Sequence, residues 1–227
     1  MARQYHLSVK LTKAQTVLGW LWLPVYLFGL VLALRYVSAT WLPMDGVTMN
    51  AVYHGINLLF IVIVFGGFLA KSLRAAWKDF WPVLQSLILG LALYYVGTWL
   101  LMRLLGHVVT FNDRTVGEYV SQNPALMLAC SLFAAPIIEE VLVRGVVFGS
   151  IQPRSRWLAY VVSSLLFCLM HVWQYDAPFT SLLAAAACYI PGAVALGWTY
   201  EKSGTIWAPI LLHVLINALS FGVLSLF

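Results

Sequence analysis

Apolar residues run along this chain in long stretches, separated by short breaks that are rich in charged residues, proline or asparagine. A helix needs roughly 20 consecutive apolar residues to span a bilayer. Seven stretches reach or approach that length: residues 17–36, 51–70, 82–106, 124–151, 157–173, 178–200 and 205–226. The pattern predicts an all-α protein, a polytopic transmembrane helical bundle of about seven spans.

The composition agrees with a membrane protein. Hydrophobic residues make up 62% of the 227 residues, and charged residues only 9%. A soluble domain has about 25% charged residues, so this chain has too few charges to cover a water-exposed surface. The 13 lysines and arginines are spread along the chain and form no basic patch. We therefore expect the lipid bilayer, and no nucleic acid, as a partner.

The distribution of basic residues predicts the topology. With a cytoplasmic N-terminus, nine lysines and arginines lie on the cytoplasmic side and three on the opposite side, as the positive-inside rule requires. We expect an integral, multi-pass protein of a prokaryotic plasma membrane. The polar segment 107–123 predicts a loop with a short interfacial helix, and an eighth, re-entrant helix there stays open.

The fourth stretch contains charged residues that membrane spans normally lack. Glu139 and Glu140 are adjacent, and Arg144 follows. Ionisable residues inside a span are costly, and they usually mark a functional site. Glu140 and Arg144 are four residues apart, so they share a helix face and can pair. Glu139 lies about 100° around the helix and needs a partner from another helix.

Two later stretches supply polar residues at the same spacing. Phe167 and His171 are four apart, as are His213 and Asn217. Glu139, like His171 and Asn217, lies 15 residues from a basic residue that is predicted to be cytoplasmic, which corresponds to a depth of roughly 22 Å. We expect these polar groups to meet in one layer of the membrane.

Two kinds of hydrolytic site fit these residue types. In the first, Glu139 and His171 take a proton from a water that attacks a peptide carbonyl, while His213 and Asn217 hold the oxyanion. In the second, zinc is bound by residues drawn from Glu139, Glu140, His171 and His213, since two histidines and a glutamate form a known catalytic set. The sequence leaves both open.

The three motifs together resemble the CPBP family of intramembrane endopeptidases, which includes type II CAAX prenyl endopeptidases and bacteriocin-processing proteins. The matching residues are Glu139-Glu140…Arg144, Phe167…His171 and His213…Asn217. The resemblance implies cleavage of membrane-associated or lipidated, CAAX-like peptides. It implies a water-activating role for Glu139, with His171 as its partner, and an oxyanion hole of His213 and Asn217. Glu140, Arg144 and Phe167 would support these residues.

The resemblance also divides the chain. Residues 124–227 would form the catalytic core helices, and residues 1–123 carry no recognised motif. A metal-free glutamate mechanism fits the motifs at least as well as zinc, so we favour no cofactor. Two other functions stay open: a non-catalytic membrane scaffold or immunity protein of the same family, and a proton-coupled carrier. The oligomeric state is not encoded in any motif.

Overall fold

The computed structural model describes residues 7–106 and 110–221, and this part of the chain is helical without β-strands. Eight helices can be numbered in chain order within these ranges. They are α1 Lys13–Thr40, α2 Gly46–Lys78, α3 Phe80–Leu105, α4 Phe111–Gln122, α5 Pro124–Ile151, α6 Arg156–Val172, α7 Phe179–Ser203 and α8 Trp207–Ser220. The prediction of an all-helical bundle is confirmed.

Five of these helices are long and apolar enough to cross a membrane, namely α1, α2, α3, α5 and α7. The apolar helices α6 and α8 are shorter, with 17 and 14 residues. The observed helices follow the seven predicted stretches, although α8 ends at Ser220 instead of residue 226, and residues 222–227 lie outside the described part. The cytoplasmic location of the N-terminus stays a prediction.

The break after the second stretch differs from the sequence prediction. The sequence predicts a cytoplasmic break between the stretches 51–70 and 82–106. Its basic residues instead lie on the last turns of α2, namely Lys71, Arg74 and Lys78. Lysine and arginine are good helix formers, so the helix continues past its apolar stretch. Only Asp79 separates α2 from α3.

Helix α5 is the central element of the bundle. More than half of the residues in its most apolar segment are buried inside the protein. In the other four long helices the buried share of the corresponding segment is a third or less. The residues from Val141 to Phe148 are all buried within the protein. Contacts with α1, α2, α6, α7 and α8 surround α5, so charged groups on this helix must find their partners on neighbouring helices.

The first half of the chain packs directly on the second. Gly19 of α1 lies so close to Val146 of α5 that an added Cβ atom would collide with it. The start of α8 is bound to α2, because Thr205 Oγ1 donates to the Ser72 carbonyl at 3.0 Å and Trp207 Nε1 donates to the Leu69 carbonyl at 2.9 Å. The division into residues 1–123 and 124–227 stays a prediction.

The polar segment after α3 contains α4, which runs from Phe111 to Gln122 and has no buried residue. Thr110 caps its first turn, since the Thr110 hydroxyl accepts from the Asp113 backbone N–H and the Asp113 carboxylate accepts from Thr110 N–H. A short, exposed and polar helix is consistent with the predicted interfacial helix. Residues 107–109 lie outside the described part.

We predict that Gly90→Ala destabilises the protein, because the new Cβ would collide with the Thr199 hydroxyl and crowd Leu212 at the α3–α7 interface. Overpacking of this kind costs about 1–3 kcal/mol. Gly67→Ala is the matched control, since no atom lies within 4 Å of its added Cβ and alanine favours a helix. Thermal unfolding in detergent should show a lower midpoint for Gly90→Ala alone; equal midpoints would contradict the packing.

Candidate active site

The polar residues of α5 lie where this helix changes its winding. Asn123 caps its start, with Oδ1 accepting from Leu126 N–H at 3.2 Å. Two wider π-helical turns follow, Cys130–Ala134 and Glu140–Phe148. Pro136 follows the first of these turns, and a proline has no N–H for the regular helical ladder. π-Helical turns within α-helices often occur at functional sites.

A cavity of about 1,140 Å³ reaches Glu139, which is 8% exposed, whereas Glu140 and Arg144 are fully buried. The cavity is also lined by His171, His213, Asn217 and Phe167, and by Tyr26 and Tyr53 of the first two helices. The two adjacent glutamates therefore lie in different surroundings. One faces open space and the other lies among packed helices.

Glu140 is the centre of a buried ionic cluster. Its Oε1 accepts from Arg144 Nη1 at 2.8 Å and from His213 Nδ1 at 2.9 Å. Arg144 Nη2 donates to the Ala193 carbonyl at 3.1 Å, and the guanidinium lies 4.5 Å from the centre of the Phe167 ring. The cluster joins α5 to α6, α7 and α8, and it balances one negative charge with one positive charge.

His171 is held through its Nδ1 atom and by two aromatic rings. Its Nδ1 lies 2.8 Å from the Phe167 carbonyl oxygen, and because a carbonyl only accepts, Nδ1 must carry the proton. In the neutral ring Nε2 then has a lone pair. Phe167 lies 4.7 Å from the imidazole on a tilted plane, and Tyr189 stacks on it at 4.3 Å.

His213 is oriented in a similar way. Its Nδ1 donates to Glu140, so Nε2 points away from the ionic cluster as an acceptor in the neutral ring and as a donor in the imidazolium. A histidine whose Nδ1–H is held by a carboxylate or a carbonyl is fixed in both tautomer and direction.

Glu139 faces both histidines. Its Oε2 lies 4.0 Å from His171 Nε2 and 4.0 Å from His213 Nε2. Within the described residues this buried oxygen has no hydrogen-bond partner, while Oε1 accepts from the Tyr26 hydroxyl at 3.4 Å. A separation of 4.0 Å is too long for a direct hydrogen bond, and it suits an atom of water or substrate that bridges the carboxylate and a ring nitrogen.

Asn217 lies one helical turn beyond His213 on α8 and lines the same cavity. Its Nδ2 donates to the Ser131 carbonyl at 2.8 Å. Ser131 belongs to the π-helical turn Cys130–Ala134, so Asn217 satisfies a backbone group of this distorted helix. The structure thus brings Glu139 close to His171 and His213, whereas Asn217 is bonded to the Ser131 carbonyl.

Helix α4 and its capping residue Thr110 contribute to the lining of the cavity. The Thr110 and Tyr189 hydroxyls are 2.8 Å apart, and the Phe111 ring stacks on Tyr175 at 5.7 Å. The Tyr175 hydroxyl donates to Asn112 Oδ1 at 3.4 Å, and burial raises the pKa of Tyr175. These contacts bind the polar segment to α7 through Tyr189 and to the loop between α6 and α7 through Tyr175.

Sequence reasoning missed Tyr26 and Tyr189. Tyr26 follows Pro24 in the middle of an apolar stretch, and Tyr189 lies in the middle of α7. A tyrosine at such a depth needs a partner for its hydroxyl, whereas tyrosines near span ends commonly belong to the interfacial belt. Depth was therefore the signal that could have identified both residues.

The zinc alternative can be compared with the geometry. Ligand atoms around a tetrahedral zinc lie about 3.3 Å apart, given bonds of about 2.0–2.1 Å. The two separations from Glu139 Oε2 are 4.0 Å, and no group of three or more His, Cys, Asp or Glu in residues 7–106 and 110–221 is close enough to hold a metal ion. The donor types suit zinc, but their spacing as it stands does not.

Comparisons with known proteins support the family resemblance. Residues 121–219 match the model of the Rce1-like family, described as type II CAAX prenyl endopeptidase Rce1-like. This segment contains all three motifs, so the resemblance inferred from the sequence is confirmed there. No solved structure matches the chain.

Several curated bacterial proteins are similar to this chain. A Bacillus subtilis protein named "Putative membrane peptidase YdiL" is 28% identical over 47% of this chain and 40% of its own length. An Escherichia coli protein named "Uncharacterized 24.3 kDa protein" is 26% identical over 75% of this chain and 78% of its own. The Lactococcus lactis UPF0177 protein YxdF is 26% identical over 70% and 86%. The chain spans less than half of the Bacillus protein.

We predict that Arg144→Met strongly destabilises the fold, because it leaves the buried Glu140 carboxylate with only His213 as a partner. Breaking a buried ion pair costs about 3–5 kcal/mol, and thermal unfolding in detergent should show it. Arg154→Met is the matched control, since Arg154 is exposed and its guanidinium donates to the Ser150 carbonyl over a long 3.4 Å, and such surface changes usually alter stability by about 0.5 kcal/mol or less.

The double variant Glu140→Gln/Arg144→Met separates the two contributions. Removing both charges should restore part of the lost stability, because no uncompensated charge stays buried. A double variant as unstable as the sum of the two single variants would contradict a direct interaction.

Proposed function

We propose that this protein is an intramembrane endopeptidase that hydrolyses a peptide bond in membrane-associated or lipidated substrates, using water activated by Glu139. One observation carries this proposal. The Oε2 atom of Glu139 lies 4.0 Å from the Nε2 atoms of both His171 and His213, at the wall of a cavity among apolar helices. A carboxylate between two oriented imidazoles is an arrangement that can take up, hold and return a proton.

In the first step a water molecule between Glu139 and His171 attacks the carbonyl carbon of the substrate. The new bond joins the water oxygen to that carbon, and the carbonyl π electrons move to its oxygen. The water proton passes to Glu139 Oε2. His171 accepts the second hydrogen bond of this water through Nε2, because its Nδ1–H is occupied by the Phe167 carbonyl. Both acceptors together direct the lone pair of the water at the substrate.

The oxyanion then needs donors. His213 supplies one through Nε2–H when its ring is protonated, and the Glu140 carboxylate at Nδ1 stabilises that imidazolium. Asn217 supplies the other through its amide, which in the free protein is bonded to Ser131. Preorganised donors of this kind are worth about 2.7–4 kcal/mol each at a developing oxyanion.

In the last step the proton on Glu139 passes to the nitrogen of the leaving amine. The carbon–nitrogen bond breaks, and the tetrahedral intermediate collapses to a carboxylic acid product and an amine. Glu139 is then ionised again, so that the cycle is balanced without an external acid or base. No step passes through a metal.

The surroundings of the site favour a membrane-bound substrate. Apolar helices surround the site, and residues of α4 line its cavity, so a peptide that is anchored in the bilayer can reach it. We propose residence in a prokaryotic plasma membrane with a cytoplasmic N-terminus, which the bacterial relatives and the basic residues support. CAAX-like lipidated peptides are the first substrates to test.

We predict that Glu139→Gln abolishes cleavage, lowering the rate at least about 100-fold, because an amide cannot accept the water proton. Peptides and protein termini are compared by mass spectrometry in membranes that carry the wild type or the variant. Glu118→Gln is the matched control, since Glu118 lies exposed on α4.

Termini that appear with the wild type and with Glu118→Gln, but not with Glu139→Gln, are the expected result. Identical termini in all three samples, at equal protein levels, would sink the proposal and favour a non-catalytic scaffold or immunity protein. Cleavage that persists in Glu139→Gln would leave the protease role intact and overturn the mechanism.

We predict that cleavage by the purified protein withstands 1,10-phenanthroline, because the spacing of the donor atoms suits a bridging water better than a tetrahedral metal. Metal content is measured on the same sample by mass spectrometry, which gives a readout that does not depend on activity. About one zinc per chain, together with loss of activity on chelation and its return with zinc, would establish the zinc alternative.

A further inference from the structure

A series of partly buried hydrogen bonds crosses the N-terminal half of the protein, which lies outside the segment that matches the family model. Trp22 Nε1 donates to Asn57 Oδ1 at 2.9 Å, and Asn57 Nδ2 donates to the Tyr53 carbonyl at 2.9 Å. Tyr53 Oη in turn donates to the Tyr26 carbonyl at 2.8 Å. Asn57 is fully buried in the middle of α2. Polar groups at this depth need a reason, because apolar residues would pack there at lower cost.

This series of hydrogen bonds ends at the Glu139 carboxylate of the candidate site. The Tyr26 hydroxyl donates to Glu139 Oε1 at 3.4 Å, while Glu139 Oε2 faces the two histidines. Tyr26 is 4% exposed, and its ring lies 5.6 Å from that of Tyr53. The bond is long, and such bonds commonly tighten when substrate binds.

The backbone around Tyr26 explains how it reaches Glu139. Pro24 interrupts the regular ladder of α1, and the next five residues, Val25–Gly29, form a π-helical turn. This wider turn rotates the side chain away from its regular direction. The Tyr53 hydroxyl holds the Tyr26 carbonyl within this turn, so α2 fixes the position of α1 and α1 fixes the carboxylate on α5.

We propose that Tyr26 is a positioning residue of the active site, which holds Glu139 Oε1 so that Oε2 points at the histidines, and that Tyr53 supports it. This inference rests on the proposed function. It gives residues 1–123 a part in the reaction that none of the three motifs contains. A carboxylate with one oxygen fixed has one orientation to present to the water, whereas an unbound carboxylate can rotate.

The first test is kinetic, on a substrate that the wild type cleaves. Tyr26→Phe keeps the ring and removes the hydroxyl, and it should lower kcat roughly tenfold with little change in KM, as loss of an outer hydrogen-bond partner commonly does. Tyr53→Phe should lower kcat by a smaller factor. Tyr36→Phe is the matched control, because Tyr36 lies on the same helix but is 64% exposed, and it should behave as the wild type.

The second test is spectroscopic and needs no activity. The infrared difference spectrum of wild type minus Tyr26→Phe should contain a shifted carboxyl or carboxylate band from Glu139. The same difference recorded in a Glu139→Gln background should lack that band. Thermal unfolding of every variant is measured alongside, since a merely structural tyrosine would lower the midpoint without producing a Glu139 band.

The two proposals fail in different ways. Full activity of Tyr26→Phe, with no Glu139 band and with Glu139→Gln inactive, would overturn the role of Tyr26 and leave the protease intact. Full activity of Glu139→Gln would overturn the proposed mechanism, and the infrared spectra would still decide whether Tyr26 binds Glu139. A change in KM or a loss of stability, with kcat unchanged, would also reject a positioning role.

Discussion

The Arg144 guanidinium is fully buried in a cluster that joins α5 to α6, α7 and α8, and its positive charge constrains how these helices pack. Neither water nor lipid can solvate it there, so neighbouring helices must supply acceptors. Glu140 supplies a carboxylate, α7 supplies the Ala193 carbonyl, and α6 supplies the face of Phe167. Helix α6, which supplies Phe167, also carries His171, and His213 of α8 donates to the same Glu140 carboxylate.

This arrangement separates the two adjacent glutamates by function. Glu140 is occupied by Arg144 and His213, so it is bound into the structure and unsuited to exchange protons with a substrate. Each glutamate has an Oε2 atom without a partner among the described residues, but Glu139 lines the cavity and Glu140 does not. The same His213 ring touches both environments, because Nδ1 is bonded to Glu140 and Nε2 faces Glu139. The ionic cluster therefore orients the His213 ring, while Arg144 and Glu140 themselves take no part in the proton transfer.

Much of the fold follows from the sequence. Long apolar stretches and the polar breaks between them define the helices, because lipid excludes other backbone conformations. The spacing of four residues placed Glu140 and Arg144 on one face, and their atoms are 2.8 Å apart. The π-helical turns had no such signal. Their positions depend on where backbone groups find partners on other helices, such as the Ser131 carbonyl on Asn217, and this is tertiary information. The depth of Tyr26 in its apolar stretch indicates a buried hydroxyl, but its pairing with Glu139 is also tertiary information.

The π-helical turns are what allows side chains from distant parts of the chain to converge. In each of them the hydrogen bonds span five residues instead of four, which widens the helix, and a regular helix would direct the residues beyond it to other faces. Within α5 the turn at Glu140–Phe148 begins directly after Glu139, and within α1 the turn at Val25–Gly29 contains Tyr26. Both ends of the Tyr26–Glu139 contact thus depend on a local departure from regular winding. Such departures weaken a helix, and they persist here because packing and buried hydrogen bonds on neighbouring helices hold them.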